Sequence, residues 1–357
     1  MTVKATQEVH IRANEPWIKS GNKKGILYPG FEVEVINVIN TNAQVINGNG
    51  TWYQDKNGDY LWSGGFSQIN ELGISNRLYQ DSNFWWHRDY HLHELWGQGL
   101  TGKGIKVGIL DSGIDLPHTD LIISTNQLFD CTQSGNINDY TGHGTHVSGI
   151  IKSTSNGFGT KGIAFDADFF FMKITDDVDG DQPQYMANAI RKAIDLDLDI
   201  ISISNGVEKL NTDIRKAIEE AAAKSILVIC AAGNRTGASG SDVLYPAKFD
   251  STISIGGCTE SQEPLSDSIN TNYTELFAPG KDILSTYPNN AYRALSGSSQ
   301  ATPFVAGIAC LLLQRARQLN ADFKSDQLKQ MLIDSSDSSV QNIKIINPLL
   351  ALEMINS

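Results

Sequence analysis

The first seventy residues are patterned as short strands. Apolar and polar positions alternate in brief runs, and this is the period of a half-buried β-strand. Glycines and asparagines that favour turns separate the runs, among them the dipeptide Asn57-Gly58. The pattern predicts a small all-β barrel as an N-terminal domain over residues 1–70. The predicted strands are 8–12, 31–38, 42–46, 50–54 and 59–62.

The pattern changes after the polar segment 67–82. Continuous apolar runs now alternate with amphipathic segments, which is typical of a parallel sheet covered by helices on both faces. We therefore predict an α/β fold for a second domain over residues 71–357. The predicted strands are 105–110, 169–174, 200–204 and 226–231, and the predicted helices are 144–153, 184–195, 213–224 and 301–319.

The composition excludes several classes of function. Hydrophobic residues make up 40% of the 357-residue chain, which is enough for a packed core and excludes wholesale disorder. The formal net charge is −12 and no basic cluster is present, so a nucleic acid or an anionic membrane is not expected as a partner. The longest strongly apolar stretch, 304–313, is too short to span a bilayer.

The cysteines indicate neither a metal site nor a disulfide framework. None of the four lies in a CxxC pair, and Cys230, Cys258 and Cys310 each lie in an apolar run. We interpret these three as small core residues. Free cysteines are typical of a reducing compartment, and residues 1–8 carry no apolar stretch of the signal-peptide type. A cytoplasmic location is therefore expected.

Three segments place a reactive side chain beside small residues. Asp111 follows the apolar run 105–110, and the carboxyl ends of buried strands are where open α/β sheets place their sites. His143 lies between two glycines at a predicted helix start, and Ser299 precedes the last long helix, with Pro303 expected in its first turn. A serine hydroxyl needs an imidazole to take its proton, and the imidazole needs a carboxylate to hold its tautomer. The three residue types together predict nucleophilic acyl transfer.

These segments resemble the three signatures of the subtilisin-like serine proteases, the subtilases. They read Asp-Ser-Gly from Asp111, Gly-His-Gly-Thr-His-Val from Gly142 and Gly-Ser-Ser-Gln-Ala-Thr-Pro from Gly297, in the order known for subtilisin. The resemblance covers residues 80–357 and implies the subtilisin-like sheet. It also implies a serine endopeptidase that works through an acyl-enzyme intermediate. The implied roles are Asp111 as the orienting carboxylate, His143 as the general base and acid, and Ser299 as the nucleophile.

Two further segments take their roles from the same resemblance. Residues 230–234 read Cys-Ala-Ala-Gly-Asn, which is similar to the segment whose asparagine donates to the developing oxyanion, so this role is implied for Asn234 beside the Ser299 N–H. Ser-Asn-Gly at 204–206 stands where the family usually has Ser-Leu-Gly, the strand that pairs with the substrate backbone. The implied substrate-binding residues are Ser204, Asn205, Gly206, Ala231 and Gly233.

Residues 1–70 resemble the bacterial SH3-like domains. The resemblance implies a ligand-binding module with Trp52, Tyr53 and Trp62 as contact residues. For any single one of these aromatics, the favoured alternative is that it forms the core of a tiny barrel. Two alternatives to an active protease stay open. One is a catalytically silent pseudoprotease that binds peptides, and the other is an SH3-like binding module whose protease domain serves only maturation. The segments that carry the resemblance are His10-Ile-Arg, Gly25-x-Leu-x-x-Gly, Thr51-Trp-Tyr and Gly58-x-Tyr-Leu-Trp.

Two groups of residues are candidate metal ligands. His87 and His91 are spaced i, i+4 beside His93 and Glu94, but no further ligand follows in helical register, so zinc is disfavoured. The resemblance implies a structural calcium site of hard oxygen ligands instead, because the family often combines an N-terminal polar side chain, an aspartate nine residues after the catalytic one and a loop in the histidine helix. The alternative is a loop closed by its own hydrogen bonds. The implied ligands are Asp81, Asp120 and Asn156, with the backbone carbonyls of Thr154, Phe158 and Thr160. No organic cofactor is expected.

Residues 176–181 carry four carboxylates in the sequence Asp-Asp-Val-Asp-Gly-Asp. By resemblance they follow the strand beside the subsites that bind substrate ahead of the cut bond. The functional interpretation is that these charges favour Lys or Arg a few residues before the cut bond of a protein or peptide substrate. The alternative is a solvated acidic loop that only aids solubility.

Overall fold

The computed structural model divides the chain into two compact units. One comprises residues 1–79 with 292–294, and the other comprises residues 80–291 with 295–357. The predicted boundary at residue 70, the predicted strand 42–46 and the turn Asn57-Gly58 lie outside the described residues. The structure describes residues 2–5, 9–12, 23–27, 32–40, 51–55, 59–62, 66–68, 84–116, 118–156, 159–176, 180–235, 242–321, 323–338 and 343–357.

Every element described in the N-terminal unit's residues 1–79 is a strand. Seven strands form one antiparallel sheet in the order β3-β2-β6-β5-β4-β1-β7. Trp52 is 1% exposed, so for this aromatic the interpretation as a core residue is confirmed. An all-β unit is observed, but its SH3-like character stays a prediction. The strands are β1 Thr2–Ala5, β2 Val9–Arg12, β3 Lys23–Leu27, β4 Glu32–Asn40, β5 Thr51–Asp55, β6 Tyr60–Trp62 and β7 Phe66–Gln68.

A mostly parallel sheet organises the second unit. Its order is β19-β20-β16-β15-β14-β13-β8-β10-β9, and only the edge strand β19 runs antiparallel to its neighbour. The predicted α/β fold is confirmed. The strands of this sheet are β8 Lys106–Asp111, β9 Leu128–Asp130, β10 Asp168–Lys173, β13 Ile200–Ile203, β14 Leu227–Ala231, β15 Thr252–Cys258, β16 Leu276–Pro279, β19 Asp337–Ser338 and β20 Lys344–Ile345. The described strands outside this sheet are β11 Thr175–Asp176, β12 Gly180–Asp181, β17 Ile283–Tyr287 and β18 Ala291–Leu295.

Helices cover this sheet on both faces. The fourth and fifth helices pack on β8, β10 and β14, while the third and sixth pack together on the opposite face, where the sixth crosses β13 to β16. Among the described residues, no helix has both the length and the apolar character that a bilayer crossing requires. The helices are α1 Trp85–Arg88, α2 Leu92–Gly97, α3 His143–Lys152, α4 Pro183–Asp195, α5 Thr212–Ala223, α6 Ser298–Gln318, α7 Ser325–Asp334 and α8 Pro348–Asn356.

The apolar runs are buried because both faces of the strands are covered. All four residues of β13 are buried, and its alternate positions Ile201 and Ile203 join the core beneath α4 and α5. All four cysteines are free, and Cys230, Cys258 and Cys310 are fully buried. Their interpretation as small core residues is therefore confirmed.

The sequence predicted Pro303 in the first turn of its helix, and this prediction is wrong. Because α6 begins at Ser298, Pro303 is its sixth residue and lies in the second turn. A proline there cannot donate to the carbonyl four residues earlier, which is that of Ser299. The hydroxyl of Ser204 donates to this carbonyl instead, at 2.9 Å. The side chain of Ser204, the residue directly after β13, thus replaces the missing hydrogen bond of the helix.

Candidate active site

The carboxyl ends of three neighbouring strands bring the predicted site residues to one edge of the sheet. Leu110 of β8 is in register with Ile203 of β13, and Ile203 is in register with Cys230 of β14. The carboxyl ends of neighbouring parallel strands lie at the same edge of a sheet. Asp111, Ser204 and the segment 231–234 therefore follow one another along this edge. The nucleophile candidate Ser299 is the second residue of α6, which packs on the same strands.

Asp111 and His143 form a direct hydrogen bond. Nδ1 of His143 lies 2.7 Å from Oδ1 of Asp111, which also accepts the backbone N–H of Ser112 at 2.7 Å. The aspartate is fully buried, whereas the histidine side chain is 30% exposed. A buried carboxylate bonded to Nδ1 places the hydrogen on that nitrogen and leaves Nε2 as the ring nitrogen that is able to accept a proton.

Ser299 is joined to Ser204 by two hydrogen bonds. Its hydroxyl donates to the Ser204 carbonyl at 3.1 Å, while the Ser204 hydroxyl donates to the Ser299 carbonyl at 2.9 Å. The backbone of the substrate-binding candidate and that of the nucleophile candidate are therefore held together. The Ser299 hydroxyl has to rotate away from Ser204 before it can donate to an imidazole nitrogen.

The Asn234 amide is oriented by the turn that precedes Ser299. Its Oδ1 accepts the N–H of Ser298 at 3.1 Å, and the Ser298 hydroxyl accepts the N–H of Gly233 at 3.2 Å. Gly297 has φ 154°, and a Cβ at this position would lie 2.9 Å from Nδ2 of Asn234. Only glycine combines this backbone conformation with free space in front of the amide nitrogen.

The remaining substrate-binding candidates line the same edge. Ala231 ends β14 and is 5% exposed. Paired hydrogen bonds between Val207 and Tyr245, at 2.8 and 2.9 Å, hold the segment that contains Asn205 and Gly206. Gly206 and Gly233 both pack against Leu244. A Cβ added at Gly206 would lie 2.7 Å from the Leu244 side chain, and one added at Gly233 would lie 3.0 Å from it.

The calcium candidates that the structure describes lie together. Asp120 is fully buried, and its carboxylate accepts the Asn156 amide and the Thr160 N–H, each at 2.9 Å. Its carbonyl accepts the Thr154 N–H at 3.0 Å. Asp81 and Phe158 lie outside the described residues. These contacts are those of a loop closed by its own hydrogen bonds, because both groups that face the Asp120 carboxylate are N–H donors. A carboxylate, an amide oxygen and backbone carbonyls are the types of ligand that Ca²⁺ prefers, so the residues present fit such an ion once the Asn156 amide turns its oxygen toward Asp120.

His118 helps to hold the Asp120 backbone. Burial lowers the pKa of His118 and favours its neutral form. Its Nδ1 accepts the N–H of Asp120 at 3.1 Å, so the hydrogen lies on Nε2, which donates to the carbonyl of Ala291 at 2.9 Å. The tautomer is thus set by two backbone groups.

The disfavoured zinc candidates do not converge. The His87 ring packs against those of Trp86 and Trp96, with centroids 3.9 and 5.1 Å away. Nδ1 of His91 lies 2.8 Å from a Glu94 carboxylate oxygen. The described part of the chain contains no group of three or more His, Cys, Asp or Glu residues placed to hold a metal ion.

Sequence reasoning missed one residue of this site, Asp139. Its carboxylate accepts hydrogen bonds from Ser112, Gly142 and Thr145, next to both Asp111 and His143. The available signal was an aspartate just ahead of a predicted helix start, where such side chains commonly satisfy free N–H groups.

Comparison with known proteins identifies the family. The family model for peptidase S8, the subtilase family, matches residues 102–347. Subtilisin E of Bacillus subtilis (strain 168) is 38% identical over 223 residues, which are 62% of this chain and 58% of that protein. An intracellular serine protease of Paenibacillus polymyxa is 38% identical over 239 residues, covering 65% of this chain and 72% of the relative.

A solved structure shares the fold. A serine-to-alanine mutant of the protease domain of PatA superposes with a TM-score of 0.64 at 25% identity, over 72% of this chain and 97% of that one. The chain spans less than two thirds of the length of Subtilisin E. The family model nevertheless matches well over half of the chain, and the protein therefore belongs to the subtilase family.

Proposed function

We propose that this protein is a serine endopeptidase that hydrolyses peptide bonds in proteins. The observation that carries the proposal is the 2.7 Å hydrogen bond between buried Asp111 and half-buried His143. It occurs at the sheet edge where Ser299 lies in the first turn of α6. These are the three groups that nucleophilic acyl transfer requires, and family membership supports the same chemistry.

The reaction proceeds in two stages. Nε2 of His143 accepts the hydroxyl proton as Ser299 Oγ attacks the substrate carbonyl carbon, and Asp111 stabilises the imidazolium that forms. The imidazolium then gives its proton to the departing amine, which leaves an ester on Ser299. Water attacks this ester by the same base catalysis, releasing the acid and restoring the serine.

The negative charge that develops on the substrate oxygen needs donors that are already in place. Nδ2 of Asn234 and the backbone N–H of Ser299 are the proposed donors. The assignment is supported by the Asn234 side chain, whose Oδ1 is held by Ser298 N–H so that Nδ2 faces Gly297. Removal of one such donor costs on the order of 10²–10³ in kcat, a magnitude taken from subtilisin itself.

Substitution of the nucleophile tests the proposal. Ser299→Ala is expected to abolish peptidase activity and labelling by a fluorophosphonate, leaving roughly 10³–10⁴-fold catalysis over water from the remaining site. Ser261→Ala, a change at an exposed loop serine, is the control and should retain both. A folded wild-type protein that binds peptides but neither cleaves them nor takes up the label would overturn the proposal in favour of the pseudoprotease.

A structural calcium ion is part of the proposal. Asp120 and Asn156, with carbonyls of the 154–160 loop, would hold it, and the ion would supply positive charge to a fully buried carboxylate. No step of the reaction passes through this ion. Its role is to stabilise the loop between α3 and β10.

The substrates, the location and the role of the N-terminal unit are also proposed. Protein or peptide substrates follow from the family, while the preference for basic residues depends on side chains 176–181, which lie outside those the structure describes. A cytoplasmic location is supported by the name of the Paenibacillus relative, an intracellular serine protease. A ligand for the SH3-like unit remains a proposal from the sequence.

A further inference from the structure

The helix that carries His143 begins without a side-chain cap of its own. Its N-cap residue is Gly142, which has no side chain, and the first N–H groups of any α-helix lack partners within the helix. Asp139 supplies what the glycine cannot. Its Oδ1 accepts the N–H of Gly142 and its Oδ2 accepts the N–H of Thr145, both at 2.8 Å.

The same carboxylate also reaches the strand that carries Asp111. The hydroxyl of Ser112, the residue after Asp111, donates to Oδ1 of Asp139 at 3.0 Å and accepts the N–H of Gly144 at 3.0 Å. The backbone N–H of Ser112 donates to Asp111 itself at 2.7 Å. A short chain of hydrogen bonds therefore connects the two members of the Asp–His pair through Asp139.

The elements joined in this way are in backbone contact. A Cβ on Gly144 would lie 2.2 Å from the carbonyl oxygen of Gly113, so α3 meets the turn after β8 with no side chain between them. Asp139 is 9% exposed and accepts a further bond from the Thr145 hydroxyl at 2.6 Å. Hydrogen bonds to a buried carboxylate are stronger than neutral ones, and a negative charge at a helix N-terminus is favourable.

We propose that Asp139 is a positioning residue for the catalytic pair, because its hydrogen bonds to Ser112 and to the first turn of α3 set where His143 stands relative to Asp111. The inference rests on the function proposed above. Asp139 acts through these hydrogen bonds and not on the reacting atoms. A displacement of about 1 Å in a catalytic group can cost about 10²-fold in rate, so loss of this carboxylate should affect kcat rather than substrate binding.

The test compares Asp139→Asn with a matched change at the last residue of β9, Asp130→Asn. Asp130 also accepts several hydrogen bonds, from Thr132, Ser134 and Gly135, but all of these donors belong to the loop that directly follows it. We expect Asp139→Asn to lower kcat by about 10–100-fold with KM changed less than about twofold, measured well below its melting temperature. Asp130→Asn should leave both constants unchanged. Equal kcat effects in the two variants, or a folded Asp139→Asn with wild-type kcat, would overturn the inference.

A measurement that does not need turnover separates this inference from the proposed function. In protein labelled with ¹⁵N-histidine, the Nδ1–H of His143 should give a proton resonance shifted far downfield by its bond to Asp111. Asp139→Asn should shift or abolish this resonance, and Asp130→Asn should preserve it. An inactive wild type would contradict the proposed peptidase function, and the His143 resonance would still test whether Asp139 positions His143. An unaltered resonance in Asp139→Asn would contradict the positioning alone.

A second variant covers the case in which Asp139→Asn does not fold. Ser112→Ala removes the link between the β8 turn and Asp139 but keeps the carboxylate at the start of α3. Its kcat should fall by roughly 3–10-fold at unchanged KM, with the His143 resonance displaced. A wild-type kcat and resonance in Ser112→Ala would show that the link does not position His143.

Discussion

Hydrogen-bond donors around Asp130 favour the ionised form of its carboxylate. Burial alone would raise the pKa of Asp130, but hydrogen bonds from Thr132, Ser134 and Gly135 outweigh burial and hold the pKa below its usual range. These donors form hydrogen bonds with the oxygens of the ionised carboxylate, and a protonated carboxylic acid accepts such bonds less strongly. The hydrogen bonds to Asp130 therefore stabilise the start of the loop between β9 and α3 most strongly while its carboxylate is charged.

A pH dependence of stability follows from this lowered pKa. In the unfolded chain an aspartate titrates near 3.9, so the folded state favours the charged form and the stabilisation is present above that pH. It is lost as the pH falls through the lower folded-state value. Asp130→Asn should reduce the free energy of unfolding by about 1 kcal/mol at pH 7, and this difference should shrink below about pH 4. Urea unfolding of both proteins between pH 7 and pH 3 measures it, and a difference that is constant with pH would contradict the assignment.

The helix α5 begins with a side-chain cap that can be tested in isolation. The Asn211 side chain accepts the N–H groups of Asp213 and Ile214, both at 3.0 Å. Asn211→Ala should destabilise the protein by about 1 kcal/mol, whereas Asn211→Ser should retain most of the cap. Thermal unfolding of the three proteins gives the comparison. Equal stability of the alanine and serine variants would show that the cap contributes nothing measurable.

The elements that the sequence predicted well are those with a strong period or an uninterrupted apolar run. β8, β10, β13, β14 and helices α3 to α6 match their predicted ranges within a few residues, because burial on both faces of a parallel sheet demands continuous apolar strands. β15 was missed, since Thr252, Ser254 and two glycines interrupt its run although all seven residues are buried. The Ser254 N–H donates to the Glu275 side chain, a contact between distant residues that local patterning does not show.

The residues of the candidate site could be predicted only where they lie in a recognisable sequence motif. Asp111, His143, Asn234 and Ser299 stand in segments that resemble family signatures, and the first two are hydrogen-bonded in the structure. The resting bond between the Ser299 hydroxyl and the Ser204 carbonyl was not foreseen, because it joins residues 95 positions apart. Asp139 was missed because its partner Ser112, which directly follows β8, lies 27 positions away in the sequence.

Calcium should stabilise the molecule as a whole. An ion that binds the folded chain at Asp120 and Asn156, and finds no such site in the unfolded chain, shifts unfolding by about 2.7 kcal/mol at one hundred times its dissociation constant. Chelation should therefore lower the melting temperature by several degrees. Asp120→Ala should remove this difference, and Asp250→Asn, at an exposed position, should preserve it. A melting curve of the wild type that does not respond to prolonged chelation would contradict the site.

The spacing of the site residues along the chain has a consequence for biosynthesis. Asp111 and His143 are 32 residues apart, and Ser204 and Ser299 are 95 apart, while β8 lies between β10 and β13, which are both made after it. Domains emerge from the ribosome and fold from the N-terminus onward, but the proposed nucleophile, Ser299, joins this sheet edge only after α6 has been translated and packed. A nascent chain that ends before α6 therefore holds the Asp–His pair without the group that would attack a peptide bond. In the proposed peptidase, self-cleavage during synthesis is thus excluded until residue 299 has been added.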